Sequence, residues 1–282
     1  MKEEHIKHLE TELKVTFNDV IHEESYGLNN IVNWIKEIIQ HSGRITIFNI
    51  NREEDRDQKI LCAVLKDEYS TVEHKMMMSM MWNRPDIAEE MIFNDPNRDF
   101  KWSDRPFDEV MTQALLRDNV KFIEMLFLNG FSLKWFLTAS KLRELYNKAA
   151  NEFPELKDQL EKYIGHDRGK IFLNHIHQYL IVIMKNHKHP FYEEDRLLSE
   201  HRDKTFEDPN FEMFLWSVLT NRSDLAEFFW SRSDHPVLAT IFASTLYGFL
   251  NHFMYKNRST SQRIHDLKQY YLEKANNIME LA

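Results

Sequence analysis

Apolar positions recur in one shared register in three segments of the chain. These segments are Met76–Phe93, Met111–Leu128 and Phe214–Ser231. In each segment two apolar stripes show the three- and four-residue spacing of an amphipathic helix, and a short polar step separates the stripes. The pattern therefore predicts three helix–turn–helix pairs.

Each pair is predicted to turn at an Asn or Asp, namely Asn83, Asp118 and Asn221. These side chains hydrogen-bond to nearby backbone and so favour turns. In the first pair Pro85 stands where the second helix should begin, which is a favoured place for proline. The first two turn residues are 35 positions apart, and the third follows 103 positions later, close to three repeats of about 34 residues.

The same register predicts which apolar side chains point inward. Before the turns these are Met76, Met80 and Met81; Met111, Leu115 and Leu116; and Phe214, Val218 and Leu219. After the turns they are Ile87, Ala88, Met91 and Ile92; Phe122, Ile123, Leu126 and Phe127; and Leu225, Ala226, Phe229 and Trp230. Each pair leaves one apolar face that only a stacked neighbour can cover, so the sequence predicts a short solenoid.

The predicted fold class is all-α, with degenerate ankyrin-like helical repeats followed by further helices. A chain of 282 residues with only 6 Gly and 7 Pro has too few turn residues for a typical sandwich or barrel. Arg44–Ile50 is the one strand-like run. Three regions are expected: 1–164 with two repeats, 165–209 as a linker with one helix, and 210–282 with the third pair and C-terminal helices.

The composition of the chain excludes several classes of function. The net charge of −9 argues against a protein that wraps nucleic-acid phosphates. Cys62 is the only cysteine, which excludes a disulfide framework and a multi-cysteine zinc site. Neither a secretory signal nor a run of about 20 apolar residues is present, so no membrane insertion is expected of this segment. The last helix reaches Ala282 without a stop signal, which suggests a piece of a longer protein.

The residues offer little catalytic chemistry. The pairs His175/His177 and His187/His189 have the wrong spacing for a helical zinc site, and Glu53–Asp57 lacks the central glycine of a calcium loop. The cluster Met76–Met81 could bind peptides, but its register favours core packing. No nucleophile elbow or phosphate loop occurs. We therefore expect no enzyme activity, no cofactor and no metal.

Three collinear blocks resemble the cytosolic N-terminal homology regions of melastatin-type TRP (TRPM) cation channels. The first is Trp82-Asn-Arg-Pro-Asp-Ile-Ala88 with Ile92-Phe93. The second runs through Leu128-Asn-Gly-Phe-Ser132 and Phe136-Leu-Thr138 to Leu142-Arg-Glu-Leu-Tyr-Asn147. The third is Phe214–Arg222, continued by Leu225-Ala226 and Phe229-Trp230. The second turn departs from the family, which tends to carry Asp-Arg where this chain has Asp118-Asn119.

The resemblance implies a non-catalytic scaffold segment on the cytosolic face of a channel in the plasma membrane. The channel would be a homotetramer that conducts cations non-selectively or conducts Ca²⁺ and Mg²⁺, and neighbouring subunits would be the partners. A stand-alone helical-repeat adaptor remains the alternative. The family-motif residues are Trp82, Asn83, Arg84, Asp86, Ile87, Ala88, Asn129, Gly130, Phe136, Leu145, Tyr146, Asn221, Arg222, Leu225, Ala226 and Trp230. We expect Trp82 to be buried between repeats and Arg84 to pair with a carboxylate such as Asp86.

Overall fold

Helices form the regular structure of the protein. The computed structural model describes residues 56–66, 70–96, 100–165, 169–184, 206–253 and 258–281, with short helical pieces at 11–12, 15, 33–35 and 37–38. No β-strand occurs among these residues, and the all-α prediction is confirmed. The strand-like run Arg44–Ile50, most of the acidic loop Glu53–Asp57, and His187 and His189 lie outside the described residues.

The helices follow one another with short connections. In chain order they are α1 (Arg56–Leu65), α2 (Val72–Met81), α3 (Pro85–Ala88), α4 (Asp108–Leu116), α5 (Val120–Leu128), α6 (Leu133–Phe136), α7 (Ala139–Glu152), α8 (Glu155–Ile164), α9 (Leu173–Ile183), α10 (Pro209–Leu219), α11 (Ser223–Trp230), α12 (Pro236–Phe253) and α13 (Arg258–Leu281). A π-helical turn, Glu89–Phe93, continues α3, and a 3-10 turn, Trp102–Asp104, precedes α4.

The three predicted helix pairs are present. Pair one is α2–α3, pair two is α4–α5 and pair three is α10–α11, and the two helices of each pair pack together. The ankyrin-like identity of these pairs stays a prediction. Helix α5 contacts α3 on one side and α11 on the other, so pair three stacks directly on pair two. The 103 positions between the second and third turns therefore do not place two further helix pairs between pairs two and three.

The intervening helices pack against the same stack. Helix α7 contacts α4, α8 pairs with α9, and α9 reaches α12. Helices α12 and α13 form a long hairpin whose first member packs on α10. Helix α9 buries Ile176, Tyr179 and Leu180 in the main core. The core is thus shared by the pairs and by the helices between them.

Most of the predicted inward positions are buried. Pair two buries Met111, Leu115, Phe122 and Leu126, and pair three buries its equivalents. Met81 is a correction, because 61% of its surface is exposed. It ends α2 in the first described pair, and no described pair precedes it. The equivalent positions of the inner pairs, Leu116 and Leu219, are buried.

Candidate functional site

The three turns share one backbone geometry. Asn83, Asp118 and Asn221 have φ angles of 52°, 56° and 57°, in the left-handed region that Asn and Asp tolerate better than most residues. After each of them, the next backbone N–H donates to the carbonyl five residues back, at distances of 3.0, 2.9 and 2.8 Å. This is the Schellman arrangement, which satisfies carbonyls at a helix C-terminus. The predicted turn residues are confirmed.

The turns line up, and pairs one and two meet there through neutral groups. Asn119 Nδ2 donates to Asn83 Oδ1 at 3.2 Å, and Asn119 Oδ1 accepts from the backbone N–H of Phe122 at 3.3 Å. One side chain therefore caps α5 and joins two turns. At the other end of the same helices, Asn129 Nδ2 is 3.4 Å from Glu89 Oε1. We call these contacts the pair one–two interface.

Pairs two and three meet through a buried arginine. Arg222 directly follows the third turn and is only 7% exposed. Its Nη2 donates to the carbonyl of Leu116 at 3.0 Å and to Glu152 Oε2 at 3.1 Å, while Nη1 donates to the carbonyl of Thr220 at 3.2 Å. The guanidinium carbon lies 4.9 Å from the centre of the Trp216 ring. Arg222 therefore joins pair three to the end of α4 and to α7.

Charge around Arg222 is balanced by acids on neighbouring elements. Burial lowers the pKa of Arg222, and the carboxylates of Glu152 and Asp118 oppose that shift. Burial also raises the pKa of Asp118, as does the nearby carboxylate of Asp224. A hydrogen bond from the backbone N–H of Leu225 lowers this pKa, as do the positive charges of Arg222 and Arg263. Because Asp118 belongs to pair two and Leu225 to α11, this carboxylate also spans the two pairs.

A second ionic contact joins α5 to the segment that follows α11. Arg232 Nη2 lies 3.7 Å from Glu124 Oε1, and its guanidinium sits 3.7 Å from the centre of the Phe228 ring. Phe127 of α5 contacts Phe228 at a ring distance of 5.7 Å. We call the contacts of Arg222, Asp118, Arg232 and Phe127 the pair two–three interface.

The structure places the family-motif residues mostly in turns and buried helix faces. Asn83 and Asn221 are turn residues, and Gly130, with a φ of 102°, follows Asn129, the C-cap residue of α5. The buried members are Ile87, Ala88, Phe136, Leu145, Tyr146, Arg222, Leu225 and Ala226. Trp230 is partly buried, and its indole N–H donates to the carbonyl of Pro236 at 3.0 Å.

Two expectations for the first motif have different outcomes. Arg84 does pair with Asp86, with Nη2 2.7 Å from Oδ2, and this hydrogen bond lowers the pKa of Asp86. The burial of Trp82 is wrong, because 38% of its surface is exposed. It is the C-cap residue of α2 and follows Met81 in the first described pair.

Sequence reasoning missed two arrangements. An aromatic cluster joins Phe93, Phe100, Trp102 and Phe107, with ring centres 5.1 to 6.0 Å apart. The π-helical turn brings Phe93 into this cluster, and its wider spacing breaks the 3.6-residue pattern. The density of aromatics between positions 93 and 107 was the available signal.

The second missed arrangement is a clamp made by Asn147. Its Nδ2 donates to the carbonyl of Ile171 at 2.8 Å, and its Oδ1 accepts from the Ile171 backbone N–H at 2.9 Å. Asn147 thereby fixes the segment before α9 to α7. The signal was present in the motif that ends at Asn147, but the partner lies 24 positions away.

The described part of the chain shows no cluster of three or more metal-binding side chains. His175 lies on α9, where its Nδ1 accepts from the backbone N–H of Phe172 at 3.3 Å. Within the same residues, none of the helices is both long enough and apolar enough to cross a bilayer.

Comparison with known proteins gives a consistent result. A model of the TRPM2-like domain family matches residues 91–200 and 156–282. The chain is 26% identical over 247 residues to "Transient receptor potential cation channel subfamily M member-like 2" of Nematostella vectensis, which covers 78% of this chain and 16% of that protein. It is 25% identical over 308 residues to "Transient receptor potential cation channel trpm" of Drosophila melanogaster, covering 91% and 15%.

A shorter alignment is more similar. Over 115 residues the chain is 36% identical to "Transient receptor potential cation channel subfamily M member 6" of Mus musculus, which covers 40% of this chain and 6% of that protein. The chain thus spans only a small part of the length of the curated relatives it matches, 16% of the first of them.

Proposed function

The chain belongs to the TRPM2-like domain family, and on that premise we propose that it is a non-catalytic scaffold segment of a melastatin-type TRP cation channel. The relatives cited above are named as TRP cation channels. In this proposal the segment lies on the cytosolic face of the plasma membrane. The channel is a homotetramer that passes cations non-selectively or passes Ca²⁺ and Mg²⁺.

The observation that carries the scaffold role is the direct stacking of pair three on pair two through Arg222. The buried guanidinium of Arg222 donates to oxygen acceptors on three elements and so ties those elements together. In this proposal the stack moves as a unit and passes a displacement at one end to the other. That property suits a segment that couples neighbouring subunits to a pore.

The partners in this proposal are neighbouring copies of the same chain. In a four-fold ring each subunit uses one patch to contact a different patch on the next, and the ring closes only with four members. Exposed cations on pair two, such as Arg117 and Lys121, lie on the edge of the stack and are available for such contacts. Reversing the charge of these residues should therefore change assembly of the channel without unfolding the segment.

The test places Arg117→Glu and Lys121→Glu, singly and together, in the full-length channel. We expect lower tetramer yield on native gels and altered whole-cell cation currents. The charge-preserving variants Arg117→Lys and Lys121→Arg serve as matched controls. Unchanged currents and tetramer yield in every charge reversal on the stack edges would contradict the scaffold proposal.

The adaptor alternative makes a different prediction about the parent transcript. A channel segment should be followed in the same reading frame by six apolar spans and a pore loop. An adaptor would instead meet a stop codon after Ala282. Sequencing the transcript therefore separates the two functions before any electrophysiology.

A further inference from the structure

Four side chains, two on α11 and two on α13, bring one lysine onto two aromatic rings and a carboxylate. Glu227 and Trp230 lie three positions apart on α11. Tyr270 and Lys274 lie four positions apart on α13, so each pair shares one helix face. Lys274 Nζ lies 3.5 Å from the centre of the Trp230 ring and 4.8 Å from that of Tyr270. The same atom donates to Glu227 Oε1. We call these four residues the Lys274 cage.

The α11 half of the cage is fixed by its own contacts. Trp230 Nε1 donates to the carbonyl of Pro236 at 3.0 Å, which holds the indole against the start of α12. The Glu227 side chain is 41% exposed, but its Oε2 is buried and has no hydrogen-bond partner among the described residues. Lys274 is the cation that the structure pairs with this carboxylate. Without that cation a partly desolvated negative charge would be left unpaired, which is unfavourable.

The beginning and middle of α13 are held by contacts outside the cage. Helix α13 packs along α12. Tyr271 stacks on Tyr247 at a ring distance of 5.8 Å and meets the edge of Phe214 at 6.0 Å. Near the start of the helix, Arg263 Nη2 donates to Ser223 Oγ at 2.6 Å. This part of α13 therefore stays docked whether or not Lys274 is charged.

The last turns of α13 have fewer contacts. Ala275 is the last buried side chain that the structure describes on this helix, and residues 276–278 and 280 are exposed or half-buried. A helix end with few buried apolar contacts opens at a low cost in free energy. The Lys274 side chain is only 20% exposed, and a cation–π contact is stronger when it is partly desolvated. The docking of the last turns therefore depends chiefly on the cage.

We propose that the Lys274 cage is a lock that decides whether the last turns of α13 lie against pair three or detach from it. Loss of the Lys274 charge takes the cation off both rings and leaves the Glu227 carboxylate unpaired, so the two halves of the cage separate. The contacts of Tyr271 keep the rest of α13 on α12. Release also uncovers the indole of Trp230 on pair three. The lock consists of contacts within this chain, so the inference does not depend on the channel proposal.

The experiment is hydrogen–deuterium exchange with mass spectrometry on the full 282-residue chain and its Lys274→Gln variant. We expect the backbone amides of residues 275–281 to exchange about tenfold faster in the variant, while those of α12 keep the parent rate. Lys274→Arg keeps the charge and should stay close to the parent. The double variant Lys274→Gln/Glu227→Gln should exchange more slowly than Lys274→Gln alone, because no unpaired carboxylate remains.

Lys268→Gln is the matched control, since it makes the same replacement on the same helix outside the cage. The Lys268 side chain passes over Gly248 of α12. This variant should leave the exchange of residues 275–281 at the parent rate, and circular dichroism checks that every variant keeps the helical fold. The proposal is overturned if Lys274→Gln leaves the exchange of these residues unchanged. It is also overturned if exchange rises equally over the whole chain, or if Lys268→Gln has the same effect.

Discussion

The two interfaces of the stack solve the same problem with different chemistry. The pair one–two interface joins turns 35 positions apart through the amides of Asn83 and Asn119. The pair two–three interface joins segments about a hundred positions apart, and it uses Arg222, Asp118 and Arg232. The short connection already holds the first two pairs near each other, whereas the distant pair has a larger loop-closure cost and many alternative partners. In this stack the salt bridges and the buried arginine lie at the interface that chain connectivity helps least.

The largest expected effect tests the helix that both interfaces share. Leu126 of α5 is fully buried in the main core, and replacement with alanine leaves a cavity there. We expect Leu126→Ala to lower the free energy of unfolding by about 2–5 kcal/mol. Urea denaturation followed by circular dichroism measures it. A midpoint equal to that of the parent would show that α5 is not the common element.

The next effect separates the two interfaces. Arg222→Ala removes the donor of three hydrogen bonds and leaves their acceptors to find other partners, so we expect a loss of about 2–3 kcal/mol. Arg222→Lys keeps the charge without the planar fork and should recover only part of this loss.

The matched control for that experiment is Arg117→Ala, an exposed arginine just before the second turn. It should change the free energy of unfolding by no more than about 0.5 kcal/mol. If Arg222→Ala lowered the free energy of unfolding as little as this control does, Arg222 would stabilise the pair two–three interface no more than an exposed arginine. The proposed contrast between the interfaces would then fail.

A smaller effect is expected at the pair one–two interface. Asn119→Ala removes the cap of α5 and the bond to Asn83, and should cost about 1 kcal/mol. Asn119→Asp keeps the cap acceptor, loses the donor to Asn83 and adds a negative charge beside Asp118, so its cost should also be about 1 kcal/mol. Thermal unfolding of the two variants and of Asn83→Ala, combined in a double-mutant cycle, measures the contact itself. A coupling energy larger than that between Arg222 and Asp118 would reverse the comparison.

The smallest effect concerns pH. Burial and Asp224 raise the pKa of Asp118 in the folded protein above its unfolded value. The folded state therefore binds the proton first, and this carboxyl adds stability as pH falls from neutral toward the unfolded pKa near 4. Asp118→Asn removes that pH-dependent contribution, so the stability of the variant relative to the parent should be highest at pH 7 and should fall on acidification. Urea midpoints at pH 7, 6, 5 and 4 provide the measurement, and a difference that is constant with pH would contradict it.

The sequence by itself determined the helix pairs and their turns. A left-handed turn after a helix depends on a few consecutive residues, and Asn83, Asp118 and Asn221 could be identified because Asn and Asp tolerate that conformation. The apolar spacing likewise identified Leu126 and its equivalents as core, since a helix face is fixed by a period of 3.6 residues. The family resemblance followed from the same local blocks and is confirmed.

The tertiary structure alone decided which pairs touch. Nothing in the spacing of the repeats indicates that pair three stacks directly on pair two, that Arg222 reaches Leu116, or that Asn147 holds Ile171. It also decided the exposure of Met81 and Trp82, because burial depends on whether a neighbour is present and not on the residue's own helix. Local backbone preferences act over a few residues and are written in the sequence. Contacts between distant segments depend on packing and loop closure over the whole chain, and only the folded structure reveals them.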